Sequence, residues 1–148
     1  EFRRVLFRSR LDQRFKNTIL REANPNGNSA QTSYTINKGD VIVLCMRTVN
    51  KKMVDFNTLM YVAIHELAHV YSSSYHHNPE FWTNMKFLID EAIEIGIYNQ
   101  TNYEADPVRY CGMTIASNIP ENYGQTGGNR SDNTLSYIMN HSGTILAS

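Results

Sequence analysis

A short histidine pattern, H-E-L-A-H at residues 65–69, constrains the fold of this chain more than any other feature. It lies inside an apolar run, residues 59–71, whose length and composition predict a buried helix. On a helix, histidines four residues apart project from one face, one turn above the other. Both imidazoles can therefore reach one zinc ion, and the glutamate between them can act on a water molecule beside that ion.

The sequence also predicts where this helix begins and ends. Capping residues cluster between residues 55 and 58, and three serines at residues 72–74 end the apolar pattern. A further helix is predicted to open at Asn78 and Pro79, because asparagine suits the N-cap and proline the first helical position. Apolar residues at helical spacing, beginning with Phe81 and Trp82, form the buried stripe of that helix.

A catalytic zinc site normally has three protein ligands and an open position for water. After His69 the candidates for the third ligand are His76 and His77. His77 directly precedes the N-cap of the further helix, where a short turn can return it to the metal, and the aromatic pair in that helix would hold the turn against the core. The residues therefore favour His77, and His76 is assigned to solvent or to a supporting position.

Two other interpretations of the cluster are that His65 and His69 are ordinary helix histidines, or that they belong to a purely structural zinc site. Histidines on an apolar helix would be costly to bury without a metal or another partner. A purely structural zinc site commonly uses four protein ligands with cysteines among them, whereas Cys45 and Cys111 lie outside the cluster. The pattern thus predicts a catalytic site in which Glu66 is the general base that takes a proton from zinc-activated water.

The strand signals precede the helix. Residues 34–36 and 41–47 flank a glycine-containing turn, which predicts a hairpin. The run 41–46 is continuously apolar, as expected of a strand covered on both faces, and an edge at 41–47 would let a substrate chain bind by strand addition. A helix is predicted over residues 11–23 and a strand within 108–115. These elements indicate an α+β domain.

The domain organisation follows from the two ends of the chain. Residues 1–9 back-translate codon for codon to a common sequencing-library adapter, so we exclude them and expect the natural N-terminus to be missing. Residues 10–116 are the predicted domain, and residues 117–148, rich in Asn, Gly, Ser and Thr, are a predicted extended or poorly ordered tail. Of the 14 basic and 14 acidic residues, 11 basic and 13 acidic remain once the three arginines and one glutamate of residues 1–9 are excluded, so there is no strong basic footprint for nucleic acid. No apolar run approaches the roughly 18 residues of a membrane span.

The two cysteines bear on the redox compartment. Cys45 and Cys111 are far apart in sequence and form no C-x-x-C pair. A disulfide is one interpretation, but two buried thiols in a reducing compartment is the preferred one. We accordingly expect an intracellular protein of the cytoplasm or nucleus.

Taken together, residues 41–47, the H-E-L-A-H helix and the segment H-N-P-E-F-W at residues 77–82 resemble the WLM family of metalloproteases and their SprT-like (Spartan) relatives. WLM members have H-E-L-A-H followed by H-x-x-x-F-[YW], and SprT-like members have a downstream H-G-P-E-F. Residues 107–113 further resemble WLM-like proteins of large DNA viruses, for which the viral factory is the expected location. The resemblance implies a compact zincin-like α+β fold, with the active-site helix packed on a small β-sheet and with flanking helices. It also implies Zn²⁺ held by His65, His69 and His77, with Glu66 as general base.

The activity implied by the resemblance is hydrolysis of peptide bonds in proteins, including proteins crosslinked to DNA. The spacing of His69 and His77 lies between the WLM and SprT-like patterns, and the chain has no cysteine-rich zinc ribbon. Association with DNA therefore follows from the family alone, and the oligomeric state stays open. The alternatives are a non-catalytic, zinc-stabilised interaction domain and a zinc hydrolase of a non-peptide substrate. Tyr75, Arg109 and Tyr110 are candidates for stabilising an oxyanion, although packing or surface roles are favoured for each.

Overall fold

Three helices and five short strands make up the part of the chain that the structure, a computed structural model, describes: residues 2–24 and 33–121. In chain order they are α1 (Phe2–Phe15), β1 (Ile19–Glu22), β2 (Tyr34–Ile36), β3 (Val41–Leu44), α2 (Phe56–Tyr71), α3 (Pro79–Glu94), β4 (Val108–Tyr110) and β5 (Met113–Ile115). The predicted α+β class is confirmed.

A three-stranded sheet with the order β1-β3-β2 lies against α2. The predicted hairpin is confirmed: β2 pairs antiparallel with β3, with Thr35 opposite Ile42. The turn between them needs left-handed backbone, and Gly39 (φ 116°) lies so close to Val70 of α2 that a Cβ there would be 2.8 Å from its Cγ1. Hairpin and helix are therefore in direct contact.

The position of β3 corrects one expectation. It was expected to offer an edge to substrate, but it is the central strand, paired with β1 on one side and β2 on the other. It also ends at Leu44 rather than at residue 47, and the backbone of Arg47 forms an isolated β-bridge with Met53. Because both edges of β3 are occupied, the edge of this sheet that lies in contact with α2 belongs to β2.

Helix α2 is the central buried helix, as predicted. The side chain of its N-cap, Asp55, accepts a hydrogen bond from the Thr58 amide at 2.8 Å, and Ser72 is its C-cap. Helix α3 begins with the predicted asparagine and proline, and the Asn78 side chain accepts from the Phe81 amide at 3.0 Å. The two helices pack against each other and, with residues from the 98–115 region, enclose the main apolar core.

Two secondary-structure expectations were wrong. The helix predicted over residues 11–23 ends at Phe15, and residues 19–22 instead form β1, which runs parallel to β3. Those four residues are exposed, so their apolar spacing reflects no buried helical face, and the pairing with β3 decides their conformation. The strand expected within residues 108–115 is two strands, because Cys111 (φ 46°) and Gly112 (φ 87°) turn the chain back as a hairpin.

The cysteines form a disulfide, which corrects the interpretation of two buried thiols. Cys45 directly follows β3 and Cys111 lies in the turn between β4 and β5, with 6.4 Å between their Cα atoms. The bond fastens the β4–β5 hairpin to the end of the central strand. The sequence could not show this, because the cysteines are 66 positions apart and the segment between them carries no local signal of their proximity.

The N-terminal residues lie in α1, which contacts α3 through ion pairs. Arg4 and Arg8 both pair with Glu91, and Arg4 also pairs with Glu94. The division into residues 1–9, 10–116 and 117–148 stays a prediction, and residues 122–148 of the proposed tail lie outside the described residues. None of the helices in residues 2–24 and 33–121 has the length and apolar character needed to cross a membrane.

Candidate metal centre

Three histidine rings converge at the junction of α2 and α3. The Nε2 atom of His65 lies 3.2 Å from that of His69, and His77 Nε2 lies 3.2 Å and 3.1 Å from those two atoms. His65 and His69 come from the middle and end of α2, and His77 from the turn that precedes α3. His76 is exposed, so the structure brings His77 and not His76 to the pair on α2.

The triangle of nitrogens fits a metal ion. In a tetrahedral site with zinc–nitrogen distances of about 2.0–2.1 Å, ligand nitrogens lie about 3.3–3.4 Å apart. The distances of 3.1–3.2 Å come close to that spacing. Nitrogen lone pairs directed at one another over this distance repel unless a proton or a cation lies between them. Among the described residues, these three histidines form a cluster that could hold a metal ion.

Burial keeps these imidazoles in the form that binds metals. Desolvation, followed by the charges of the neighbouring histidines, lowers the pKa of His65 well below its ordinary value. Burial and His77 lower the pKa of His69 to about 3, and burial and His76 lower the pKa of His77 to about 4. A neutral imidazole offers a lone pair to a metal, so the donor set is ready to bind without first losing protons.

Phe81 is the packing centre of the cluster. Its ring centroid lies 4.9 Å from that of His65, 4.5 Å from that of His69 and 4.6 Å from that of His77. Histidine ligands are commonly oriented by a hydrogen bond from the second ring nitrogen, but Nδ1 of His65 and of His69 has no such partner among the described residues. The fully buried Phe81 ring therefore restrains the orientation of these rings by contact.

The turn that carries His77 is held by three consecutive serines, each bonded to a different side chain. Ser72 Oγ accepts from Asn84 Nδ2 at 3.0 Å, and Ser74 Oγ accepts from Asn78 Nδ2 at 2.8 Å. Ser73 donates to the Glu80 carboxylate from both its amide and its hydroxyl. These bonds join the end of α2 to the start of α3, so the position of His77 is set from both helices.

Glu66 is fully buried beside the histidines, and its two oxygens differ. Oε2 accepts a hydrogen bond from the hydroxyl of Thr35 at 2.7 Å, whereas Oε1 has no partner among the described residues. Burial raises the pKa of Glu66 to about 8, and the bond from Thr35 opposes that rise. A cation held by the histidines would favour the carboxylate form, because a positive charge near a buried carboxyl group stabilises its ionised form.

The candidates for an oxyanion donor have other roles. Cys45 donates its amide to Ser33 Oγ at 3.0 Å, the Ser33 hydroxyl pairs with that of Tyr110 at 2.9 Å, and Tyr110 donates to the Cys45 carbonyl at 2.7 Å. The Tyr110 hydroxyl has one proton, and it donates that proton within this circuit rather than to an oxyanion. Arg109 is exposed, and the Tyr75 ring lies 4.5 Å from the Lys38 ammonium. The favoured packing and surface roles agree with these positions.

The family of the chain follows from a direct comparison. The WLM domain model matches residues 10–139, which include the three histidines, Glu66 and nearly all of the described residues. The chain belongs to the WLM family. The resemblance to WLM proteins is thus confirmed, and the WLM match begins directly after the nine residues assigned to the adapter.

Similar chains occur in large DNA viruses. The chain is 39% identical over 109 residues to an uncharacterized protein of Acanthamoeba polyphaga mimivirus. The aligned region covers 73% of this chain and 54% of the relative. It is 46% identical over 70 residues to an uncharacterized protein of Invertebrate iridescent virus 3. That aligned region covers 47% of this chain and 43% of the relative. The chain therefore spans about half the length of these relatives. No solved structure matches it at a significant level.

Sequence reasoning missed Thr35. The signal that could have found it is the alternation within residues 33–36, where Ser33 and Thr35 occupy one face of the strand and Tyr34 and Ile36 the other. Both polar side chains are buried, at 3% and 1% exposure. Buried hydroxyls on one face of a strand need partners there, and in this fold the partner of Thr35 is Glu66.

Proposed function

We propose that this WLM domain is a zinc-dependent metallopeptidase, with His65, His69 and His77 as the zinc ligands and Glu66 as the general base. The observation that carries the proposal is the convergence of the three Nε2 atoms beside a buried carboxylate that has one unpartnered oxygen. The three-histidine set leaves a fourth position for water, as catalytic zinc sites do.

The chain's own residues have separate tasks in this reaction. When bound, zinc would act as a Lewis acid and lower the pKa of the water molecule it binds toward about 7. Glu66 Oε1 accepts the proton of the attacking water and delivers it to the leaving amine, which regenerates the carboxylate. Phe81 and the core around it exclude bulk water from one side of the histidine cluster, since Phe81 is fully buried.

A peptide substrate has a suitable place beside the site. Strand β2 is the edge strand of the sheet that contacts α2, and Thr35 in its middle contacts Glu66. An extended chain that pairs with the outer edge of β2 would run past the carboxylate. Main-chain hydrogen bonds of this kind bind peptides largely independently of their sequence. This geometry supports a protein or peptide substrate over a non-peptide one.

The substrate class and location are narrower proposals. Proteins bound to DNA are included as substrates by family analogy, and the balanced charge of the chain gives that choice no separate support. An intracellular location is proposed from the viral relatives. The disulfide does not favour a reducing compartment, so the location depends on those relatives alone.

The decisive experiment compares wild type with Glu66→Gln in a turnover assay on fluorescently labelled casein. Each protein is loaded with one equivalent of zinc, and zinc content is measured by atomic absorption. Loss of the general base should reduce kcat by at least about 100-fold while zinc content stays at one. Activity that persists unchanged in Glu66→Gln would refute the mechanism.

A matched pair of variants tests the ligand set. His77→Ala should lose zinc, whereas His76→Ala, one residue away and exposed, should keep it. If zinc stabilises the domain against thermal unfolding while wild type cleaves neither casein nor its own chain, the domain is a non-catalytic, zinc-stabilised interaction module. Chelator-sensitive cleavage of RNA without cleavage of casein would instead indicate a zinc hydrolase of another substrate.

A further inference from the structure

A single side chain outside the histidine cluster donates a hydrogen bond to the Glu66 carboxylate. Thr35 lies in the middle of β2, is 1% exposed, and donates its hydroxyl proton to Glu66 Oε2 at 2.7 Å. The two residues are 31 positions apart in sequence and come from different elements. No other hydrogen bond from a described residue reaches either oxygen of this carboxylate.

We propose that Thr35 is a positioning residue for Glu66, a role that rests on the peptidase function proposed above. A carboxylate can rotate about its terminal torsion, which has a broad energy profile and does not by itself select one orientation. The bond to Oε2 selects the orientation in which Oε1 is free. That oxygen is then available to accept the proton of the attacking water.

The hydroxyl of Thr35 is itself held in place. Ser33, two residues earlier on the same face of the strand, closes the hydrogen-bond circuit with Cys45 and Tyr110. On the other side, β2 pairs with β3 through Tyr34, Thr35 and Ile36. Neither restraint involves a histidine of the cluster, so the donor is positioned before any metal binds. Such prior placement is what a positioning residue requires.

Thr35 also has a packing role, which must be separated from its role as a donor. Valine has nearly the same shape as threonine and suits a strand equally well, but it cannot donate a hydrogen bond. Serine keeps the hydroxyl and loses only a methyl group. Thr35→Val therefore removes the donor with little change in packing, and Thr35→Ser keeps the donor with slightly poorer packing.

The first test measures kcat, KM and zinc content for wild type, Thr35→Val and Thr35→Ser with labelled casein. We expect Thr35→Val to lower kcat by about 10–100-fold with KM and zinc content nearly unchanged, the usual effect of removing a supporting hydrogen bond. Thr35→Ser should stay within about 3-fold of wild type. Equal losses in both variants, or a loss that follows zinc content, would overturn the proposal because packing would then explain the effect.

A second test needs no catalytic activity. The variants Thr35→Val and Glu66→Leu, alone and combined, form a double-mutant cycle read by the midpoint of urea unfolding. Thr35→Val should lower the midpoint in the wild-type background, where it leaves a buried carboxylate without a donor, and should leave it unchanged or raise it in Glu66→Leu. Additive shifts would refute the contact. A coupled pair in a protein that cleaves nothing would refute the peptidase function and, with it, the positioning role in catalysis.

Discussion

The disulfide offers the clearest quantitative prediction. Cys45 and Cys111 are separated by 66 positions, so their bond closes a long loop in the unfolded chain. The chain-entropy relation gives about 4 kcal/mol of stabilisation for a loop of this length. In a domain of about 150 residues, each kcal/mol shifts the midpoint of thermal unfolding by about 2–4 °C. The double variant Cys45→Ala/Cys111→Ala should therefore unfold about 8–16 °C below wild type, at equal zinc content.

The assay is thermal unfolding by circular dichroism with and without dithiothreitol. Reduction should lower the midpoint of wild type and leave that of the double variant unchanged, since the variant has no disulfide to reduce. A thiol titration of unfolded, unreduced wild type should find no free cysteine. Two titratable thiols, or a midpoint that dithiothreitol does not move, would refute the reasoning and restore the interpretation of two buried thiols.

Three further changes probe the site and the fold. Phe81→Leu should lower zinc affinity by about 10–100-fold, measured by competition with a chelating dye, because the ring that contacts all three histidines is lost; an unchanged affinity would show that the cluster orients itself. Asn84→Ala removes the hydrogen bond to Ser72 and should lower the free energy of unfolding, measured with urea, by about 1 kcal/mol. An unchanged free energy would mean that this bond contributes nothing to the turn. Gly39→Ala places a Cβ 2.8 Å from Val70 Cγ1 on strained backbone, so it should lower the free energy of unfolding by about 1–3 kcal/mol. An unshifted midpoint of urea unfolding would contradict this expectation.

Several features of the fold could be predicted because their causes are local in sequence. The spacing of His65 and His69 follows from the helical repeat, and the caps Asp55 and Asn78 lie within three residues of the amides that they bind. His77 could be chosen over His76 because it directly precedes a predicted helix start. In each case the deciding partner lies within about one helical turn.

Predictions of other features were wrong because the causes of those features are distant in sequence. Residues 19–22 are exposed and form a strand only through pairing with β3, so no local pattern announces them. The assignment of the substrate edge to β3 failed for the same reason: the parallel partner β1 occupies that edge, and strand order is a property of the whole sheet.

By itself, the sequence determined the helix that carries His65 and His69, the turn that follows it and the identity of the three candidate ligands, because helical periodicity and capping act over a few residues. Only the tertiary structure decided what surrounds them. It paired Cys45 with Cys111, placed the Phe81 ring against all three histidines, and joined Thr35 to Glu66. Those contacts arise from the packing of the sheet and hairpins on α2 and α3, which depends on the arrangement of the whole chain rather than on any single segment of it.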